Sequence, residues 1–173
     1  MLEAYLEVLE LGYYEVTFAF EGLSDAHVWE RPGVGLLSVG ELAGHVAYWE
    51  AVRLAGGVGD IEAHAASGLE ACAVKSPLID HRFRYHTATL ETAPSDEHRA
   101  MTAEQVLKEL LRVHAEAVAH LRARAPEPGD TVPGHPAGHT YGEFLKYLAF
   151  HVAYHTGQMF SARHLLGETT PDN

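Results

Sequence analysis

Residues 140–167 read TYGEFLKYLAFHVAYHTGQMFSARHLLG and predict a long helix with histidines on its apolar face. Thr140 and Glu143 have the spacing of a capping box, in which a hydroxyl and a carboxylate satisfy backbone N–H groups at a helix start. Gly167 stands where a helix commonly ends in a left-handed residue. Side chains that recur at steps of three and four share one face of a helix. That face consists of Phe144, Leu148, His151, His155, Met159, Ala162 and Leu166.

Two histidines interrupt this apolar face. His151 and His155 are four residues apart, so their side chains lie one above the other on adjacent turns. A buried imidazole needs a partner, because its nitrogens lose their contact with water. Gln158 follows His155 by three residues and lies near the same face. Its amide could orient an imidazole, hydrogen-bond a bound water or pack against a neighbouring helix.

Three more long helices are predicted from the same spacing. The first covers residues 2–20 and ends near Gly22, where the apolar period stops. The second opens with a capping box at Ser38 and Glu41, and the third begins at Thr102 with the same motif. No segment shows the sustained alternation of a β-strand. The sequence therefore predicts an all-α fold.

The connection between the second and third long helices covers residues 58–100. A structureless connection of this length is unusual in a compact domain, so short helices are expected over 60–71 and 78–92. Residues 125–138 are rich in proline and glycine and form a loop. Four long amphipathic helices with a long crossover between the second and third predict a four-helix bundle. A single domain is expected over residues 1–173.

Composition limits the partners and the location of the protein. The chain has 12 Lys and Arg against 24 Asp and Glu, a net charge of −12, which argues against binding to nucleic acid phosphates. The single cysteine, Cys72, excludes an internal disulfide and suits a reducing compartment. The first ten residues carry acids where a signal peptide carries bases. No apolar run has the length of a membrane span, so we expect a cytoplasmic protein that binds neither membrane nor nucleic acid.

A possible metal site emerges from three histidines. His45 lies on the apolar face of the second helix, four residues before Trp49. If the second and fourth helices are neighbours, His45, His151 and His155 can converge inside the bundle. Three nitrogen ligands with an open position form a metal-site arrangement, and bundle cores hold such sites. The alternative is that they are ordinary core histidines, because a chain with 13 histidines readily contains an HxxxH pair by chance.

Other polar residues have simpler interpretations. His114 on the third helix is expected to pack in the core or to support a ligand rather than to bind metal. Arg53 could reach an anionic substrate, but a solvated side chain is the simpler prediction. Glu41 is expected to cap its helix. Six further histidines are expected in loops or at the surface: His27, His98, His120, His135, His139 and His164.

Three segments of the chain resemble the DinB/YfiT-like superfamily. SVGELAGHVAYWE (38–50) is similar to the first signature of that family, a helix that starts with Ser or Thr and carries a histidine several positions later. FHVAYHTGQMFSARHLLG (150–167) is similar to the second, a histidine, three residues, then His-x-Gly-Gln; here it reads His-Thr-Gly-Gln. WERPG (29–33) resembles the segment before the first signature.

This resemblance implies a fold, a cofactor and an oligomeric state. Members have an up-down-down-up four-helix bundle, are often homodimers, and bind one divalent ion. Nickel or zinc would come first, with iron or manganese as alternatives. The metal ligands carried over to this chain are His45, His151 and His155. An exposed aromatic residue on the first helix, such as Tyr14 or Phe18, could serve the dimer interface.

The resemblance also implies a class of reaction. Some relatives transfer groups to or from low-molecular-weight thiols such as bacillithiol or mycothiol. Three neutral imidazoles leave the full charge on a bound ion, which would then acidify a bound water or thiol. No catalytic carboxylate is evident beside the three histidines, which weakens the case for a hydrolase that needs a general base. A metal-dependent thiol S-transferase acting on a small molecule is therefore the first interpretation.

Three alternatives stay open at this point. The first is a metal-dependent hydrolase. The second is a non-catalytic helical module whose metal contributes folding energy. The third is a bundle whose histidines pair with each other or with water and bind no metal. No catalytic residue other than the metal ligands is identified by the sequence.

Overall fold

The computed structural model describes residues 2–56, 69, 71–85, 93–132 and 138–171. This part of the chain contains five α-helices and no β-strand, which confirms the all-α class. The helices are α1 (Leu2–Phe20), α2 (Val39–Ala55), α3 (Asp96–Arg99), α4 (Ala103–Arg124) and α5 (Tyr141–Leu165). A 3₁₀ turn, His81–Phe83, precedes α3. The up and down directions of the four long helices stay a prediction, as does the single domain.

The predicted capping boxes all form. In each, the N-cap hydroxyl accepts a hydrogen bond from the backbone N–H three residues later, and the side chain of that later residue accepts one in return. The three pairs are Ser38 with Glu41, Thr102 with Gln105, and Thr140 with Glu143. Gly167 has a φ of +80°, the left-handed conformation predicted just beyond the end of α5.

The four long helices pack side by side. α1 packs mainly against α5, and α2 packs against both α4 and α5, while a smaller contact joins α1 to α4. Helices α2 and α5 are therefore neighbours, which is the condition for their histidines to meet. The apolar faces predicted from sequence supply the core, and residues such as Leu9, Val52 and Leu110 are fully buried. Each such burial contributes about 1.5–3 kcal/mol to folding.

Helix α2 is buried around nearly its whole circumference, from Val39 to Val52. Two glycines allow the rest of the chain to cover it closely. A Cβ on Gly40 would lie 2.6 Å from the Trp29 ring, and one on Gly44 would lie 2.4 Å from the Phe83 ring. Any larger residue at either glycine would displace an aromatic side chain. The 3₁₀ turn is thereby held against the middle of α2.

The segment before α2 is tied down by one buried carboxylate. Glu41 is fully buried and accepts from the guanidinium of Arg31 at 2.5–3.0 Å, in addition to its role in the cap. The Tyr85 hydroxyl donates to the same carboxylate at 3.2 Å. The indole of Trp29 donates to the Met101 carbonyl at 3.0 Å. Glu41 therefore caps its helix as predicted and also anchors two covering segments.

The end of α1 is held by an arginine from α5. Arg163 is 1% exposed, and its Nη1 donates to the carbonyls of Ala19 at 3.1 Å and Glu21 at 2.9 Å. Its Nε donates to Glu168 at 2.7 Å. The guanidinium satisfies carbonyls that have no partner inside α1, because the last carbonyls of a helix lack one. This bridge fixes α1 against α5.

The long crossover is described only in part. The predicted helix over 60–71 lies outside the described residues except for Leu69 and Ala71, and the one over 78–92 is described only as far as Tyr85. Within that described portion the structure has the 3₁₀ turn and no longer helix. None of the described helices combines the length and apolar character that crossing a membrane requires.

Candidate metal centre

Three histidines meet between α2 and α5. His45 projects from α2, and His151 and His155 project from adjacent turns of α5. Nε2 of His151 lies 3.2 Å from Nε2 of His45 and 3.1 Å from Nε2 of His155. One ring nitrogen from each residue lies within 4.8 Å of the other two, close enough to hold a metal ion. The structure therefore brings together the three residues singled out in the sequence.

A backbone carbonyl sets the tautomer of His45. Its Nδ1 lies 2.7 Å from the carbonyl oxygen of Phe83. A carbonyl can only accept, so Nδ1 carries the proton and the neutral ring has a lone pair on Nε2. The close packing of Phe83 on Gly44 places this carbonyl. The orientation of His45 thus depends on the glycine one residue before it.

A side-chain amide sets the tautomer of His155. Nδ1 of His155 lies 2.7 Å from Oε1 of Gln158, and Nε2 of Gln158 donates to the Tyr154 hydroxyl at 3.2 Å. The amide oxygen accepts from Nδ1–H, which leaves a lone pair on Nε2 of His155. Of the three roles considered for Gln158, the structure supports the one in which it orients an imidazole.

The donor set fits a divalent metal ion. The Nε2 lone pairs of His45 and His155 both lie next to Nε2 of His151, at 3.2 and 3.1 Å. Ligands of a tetrahedral zinc at 2.0–2.1 Å lie about 3.3 Å from each other, close to the spacing seen here. Hydrogen bonds from the opposite ring nitrogen are the usual support of a metal-bound histidine. The three histidines could therefore hold an ion without rearrangement of their rings.

The surroundings of His151 and His155 keep these two imidazoles neutral. Burial, together with the neighbouring His155, His45 and Arg53, lowers the pKa of His151 to about 2. Burial also lowers the pKa of His155. Metal binding requires the unprotonated ring, and a site that is already neutral loses no protons when the ion enters.

Two cavities, each of about 320 Å³, open onto the histidines. The first is mostly apolar and is lined by Pro32, Leu36, Leu42 and Leu165 together with His45 and His155. The second is lined by all three histidines, by Trp49 and Arg53, and by aromatic residues including Tyr147. No carboxylate lines either cavity within the described residues. A small molecule could reach the open side of the site by either route.

His114 is not part of this group. Its Nδ1 lies 2.5 Å from Oε1 of Glu50, whose other oxygen accepts from the Tyr13 hydroxyl at 2.8 Å. The imidazole stacks on the Tyr13 ring with centroids 3.7 Å apart. Its Nε2 lies 3.2 Å from Oε2 of Glu10, but out of line for a hydrogen bond. His114 thus packs in the core as predicted, within a buried network that the sequence analysis missed.

A signal for this network exists in the sequence. Glu50 is the one carboxylate in the second half of α2, and it is 1% exposed in the structure. A carboxylate at such a position needs a buried donor, because an unpaired charge in the core is costly. His114 and Tyr13 are the inward-facing polar residues of their helices and supply it.

Two predictions about other residues are wrong. His98 is buried rather than at the surface, because its ring packs near Phe83 and hydrogen-bonds the Pro77 carbonyl at 2.8 Å. Arg53 is largely enclosed rather than solvated, since its guanidinium packs against aromatic rings. The other described histidines of that set are exposed or partly exposed, and His135 lies outside the described residues: His27, His120, His139 and His164.

The bundle and its histidine cluster define a helical protein able to hold a metal ion in its core. The family description "DinB superfamily" matches residues 9–159, a span that includes all three histidines. The chain therefore belongs to the DinB superfamily. We found no match among curated proteins or among solved structures.

Proposed function

We propose that this protein binds one divalent metal ion through Nε2 of His45, His151 and His155. The observation that carries the proposal is the pair of Nε2 lone pairs, on His45 and His155, fixed by acceptors on the opposite ring nitrogens. Membership of the DinB superfamily supports it. Nickel and zinc are the first candidates and iron and manganese the next, because imidazole ligands accept several of these ions.

We propose further that the protein is a metal-dependent S-transferase that uses a low-molecular-weight thiol. A bound divalent ion would lower the pKa of the thiol and hold it as a thiolate. In the transfer, the thiolate sulfur forms a bond to an electrophilic carbon, and the leaving group departs with the bonding electrons. The proton of the thiol passes to solvent.

The residues of the chain have defined parts in this scheme. Phe83 and Gln158 orient two of the ligand rings through their oxygen atoms. The apolar wall that includes Leu36 and Leu42 would exclude water from one side of the site. No carboxylate lines the described parts of the cavities, so a carboxylate general base for water is missing there, which supports thiol transfer over hydrolysis.

A purely structural metal site has less support. Structural zinc sites are closed by four protein ligands, whereas catalytic sites have three and an open position. Among the described residues, this site offers three histidine nitrogens and lies beside two cavities. A metal site that only stabilises the fold would not need either of these cavities.

Metal content is the direct test. The protein should be produced without a histidine tag and analysed by elemental mass spectrometry, with about one divalent ion expected per chain. Chelation and reconstitution with nickel, zinc, iron and manganese would rank the ions. Absence of stoichiometric metal after reconstitution would overturn the metal proposal. Thiol consumption against a panel of electrophiles would then test transfer, and turnover that is the same without thiol would contradict it.

We also propose that the protein forms a homodimer through the outer face of α1 and α5. A groove of about 570 Å³ runs along this face, and Val8, Leu11 and Phe150 beside it are 57%, 60% and 64% exposed. Of the two aromatic residues considered from sequence, Tyr14 is the exposed one, and Phe18 is partly buried. Light scattering should give twice the chain mass, and Leu11→Glu should give a monomer. The cytoplasmic location stays a prediction from composition.

A further inference from the structure

Arg53 brings a positive charge to the cavity of the three histidines. It lies on α2 two turns after His45, and its side chain lines the same cavity. The guanidinium carbon is 4.7 Å from the centre of the Trp49 ring and 5.5 Å from that of Tyr147. Stacking on aromatic rings uses the faces of a guanidinium and leaves its in-plane N–H groups for other partners. The rings therefore hold the charge in place without neutralising it.

No carboxylate compensates this charge within the described part of the chain. Arg31 is paired with Glu41, whereas Arg53 forms no ion pair with a described residue. Its polar neighbour is the Tyr147 phenol. Burial lowers the pKa of Arg53, which reflects the cost of holding a cation away from water. Such a cost is unusual at a position without an anionic partner.

A carboxylate is the anion that this position fits best. The planar guanidinium donates two parallel N–H bonds to a carboxylate, and one cation balances one carboxylate. A phosphate carries about −1.5 to −2 charge, which is more than the single guanidinium in the described lining of the cavity balances. The 320 Å³ volume lies at the lower end of the range for small-molecule sites.

We propose that Arg53 binds the carboxylate of a small substrate whose second donor group occupies the open side of the histidine site. This inference rests on the proposed function, because the second donor group needs the metal. It adds the substrate class: a ligand that carries a carboxylate a short distance from its metal-binding atom. Arg53 then determines specificity between such ligands and neutral analogues.

Two thiols of similar size test this assignment. Mercaptoacetate and 2-mercaptoethanol share a thiol and differ in that one ends in a carboxylate and the other in a hydroxyl. Cobalt-loaded protein would be titrated with each, and the thiolate-to-cobalt absorption band reports binding. The native protein should bind mercaptoacetate about tenfold more tightly than 2-mercaptoethanol, and Arg53→Met should abolish this preference. Arg53→Lys should retain part of it.

The controls separate this inference from the metal proposal. Arg99→Met removes an exposed arginine away from the cavity and should leave both affinities unchanged. Cobalt content is measured for every variant, and Arg53→Met should still bind about one ion. Arg53→Gln replaces Arg53→Met if thermal unfolding shows that the methionine variant does not fold. An unchanged preference in the variant, or no preference in the native protein, would overturn the inference.

A metal-free measurement covers the case in which no ion binds. Absence of the cobalt band in every protein would overturn the proposed function but would leave Arg53 to be tested by itself. Calorimetric titration of the metal-free protein with benzoate and with its neutral analogue benzamide serves that purpose. Benzoate should bind more tightly, and Arg53→Met should remove the difference. Equal binding of the two compounds would overturn the role of Arg53.

Discussion

Two sets of buried histidines occupy the same bundle and have opposite surroundings. His45 and His155 have oxygen acceptors at Nδ1 and imidazoles of the cluster near Nε2. His114 instead lies between two carboxylates, with Glu50 at Nδ1 and Glu10 near Nε2. All three side chains are less than one-tenth exposed. Both sets are therefore buried, and they differ in the charge of the neighbouring groups.

The charge of each set follows from those neighbours. Burial alone lowers the pKa of His114, but the carboxylates of Glu50 and Glu10 outweigh it, so that the pKa is raised. At His155 burial lowers the pKa, and the amide of Gln158 opposes this only in part. One set is suited to hold a proton and the other to hold a metal ion, because a metal ligand must be unprotonated.

The largest expected effect is on metal binding. Substituting one histidine of each set should show that the two sets have different roles. His151→Ala removes one of three ligands and should weaken metal binding by more than roughly a hundredfold, beyond the loss typical of supporting residues. His114→Ala should leave about one ion per chain, provided that the protein folds. Elemental mass spectrometry with a competing chelator measures both. Retained metal in His151→Ala, or its loss from folded His114→Ala, would contradict the distinction.

The network around His114 should matter for stability instead. Glu50→Ala leaves a buried imidazole and the Tyr13 hydroxyl without their acceptor, and should cost about 3 kcal/mol of unfolding free energy. Glu7→Ala, an exposed carboxylate on α1, is the control and should have little effect. Urea unfolding measures the change. A loss below about 1 kcal/mol would show that the network contributes little, and metal content should not change in either variant.

The hydrogen bond between His45 and the Phe83 carbonyl can be disturbed by a substitution at Gly44, against which the Phe83 ring packs. Gly44→Ala places a methyl group 2.4 Å from the Phe83 ring, so the ring and its carbonyl must move. Metal affinity should fall about tenfold, with about 1–3 kcal/mol of stability. Gly157→Ala on α5 is the matched control, because its methyl group meets nothing within 4 Å. Isothermal titration should show no change in that control, and equal affinities in both variants would contradict the role of Phe83.

A pH dependence of stability gives the smallest expected effect. The raised pKa of His114 means that the folded protein holds this proton more tightly than the unfolded chain does. Its contribution is complete below the ordinary value of about 6.5 and is lost as pH rises through the raised pKa. The stability difference between the native protein and His114→Gln should therefore shrink from pH 6 to pH 9. His120→Gln, exposed on the same helix, should show no such trend.

Much of this architecture could be predicted from local patterns. The helix starts at Ser38, Thr102 and Thr140 follow from capping boxes, which act within four residues of the chain. The inward faces of α1 and α5 follow from spacing, which is equally local. His151 and His155 share a face for the same reason. Prediction was weakest over 58–100, where no sustained period marks an element.

The predictions about Arg53 and His98 are wrong because the burial of both side chains depends on residues far away in the sequence. Nothing in the sequence near Arg53 shows that Phe144 and Tyr147, more than ninety positions later, lie beside its guanidinium. His98 was expected in a loop or at the surface, yet it lies in α3 and its ring packs near Trp29 and Phe83. Burial of a residue outside a periodic helix depends on which distant segments cover it.

The sequence alone determines the class of fold, the helix boundaries and the pair of histidines on α5. Each of these depends on interactions between residues a few positions apart. The packing of α2 beside α5 decided that His45 would join that pair. Packing also decided that Phe83 and Gln158 would leave lone pairs facing one point, and that His114 would meet Glu50. These contacts join residues that are mostly far apart in the chain. The shape and charge of the assembled core select the partners in these contacts. Local sequence patterns do not indicate them.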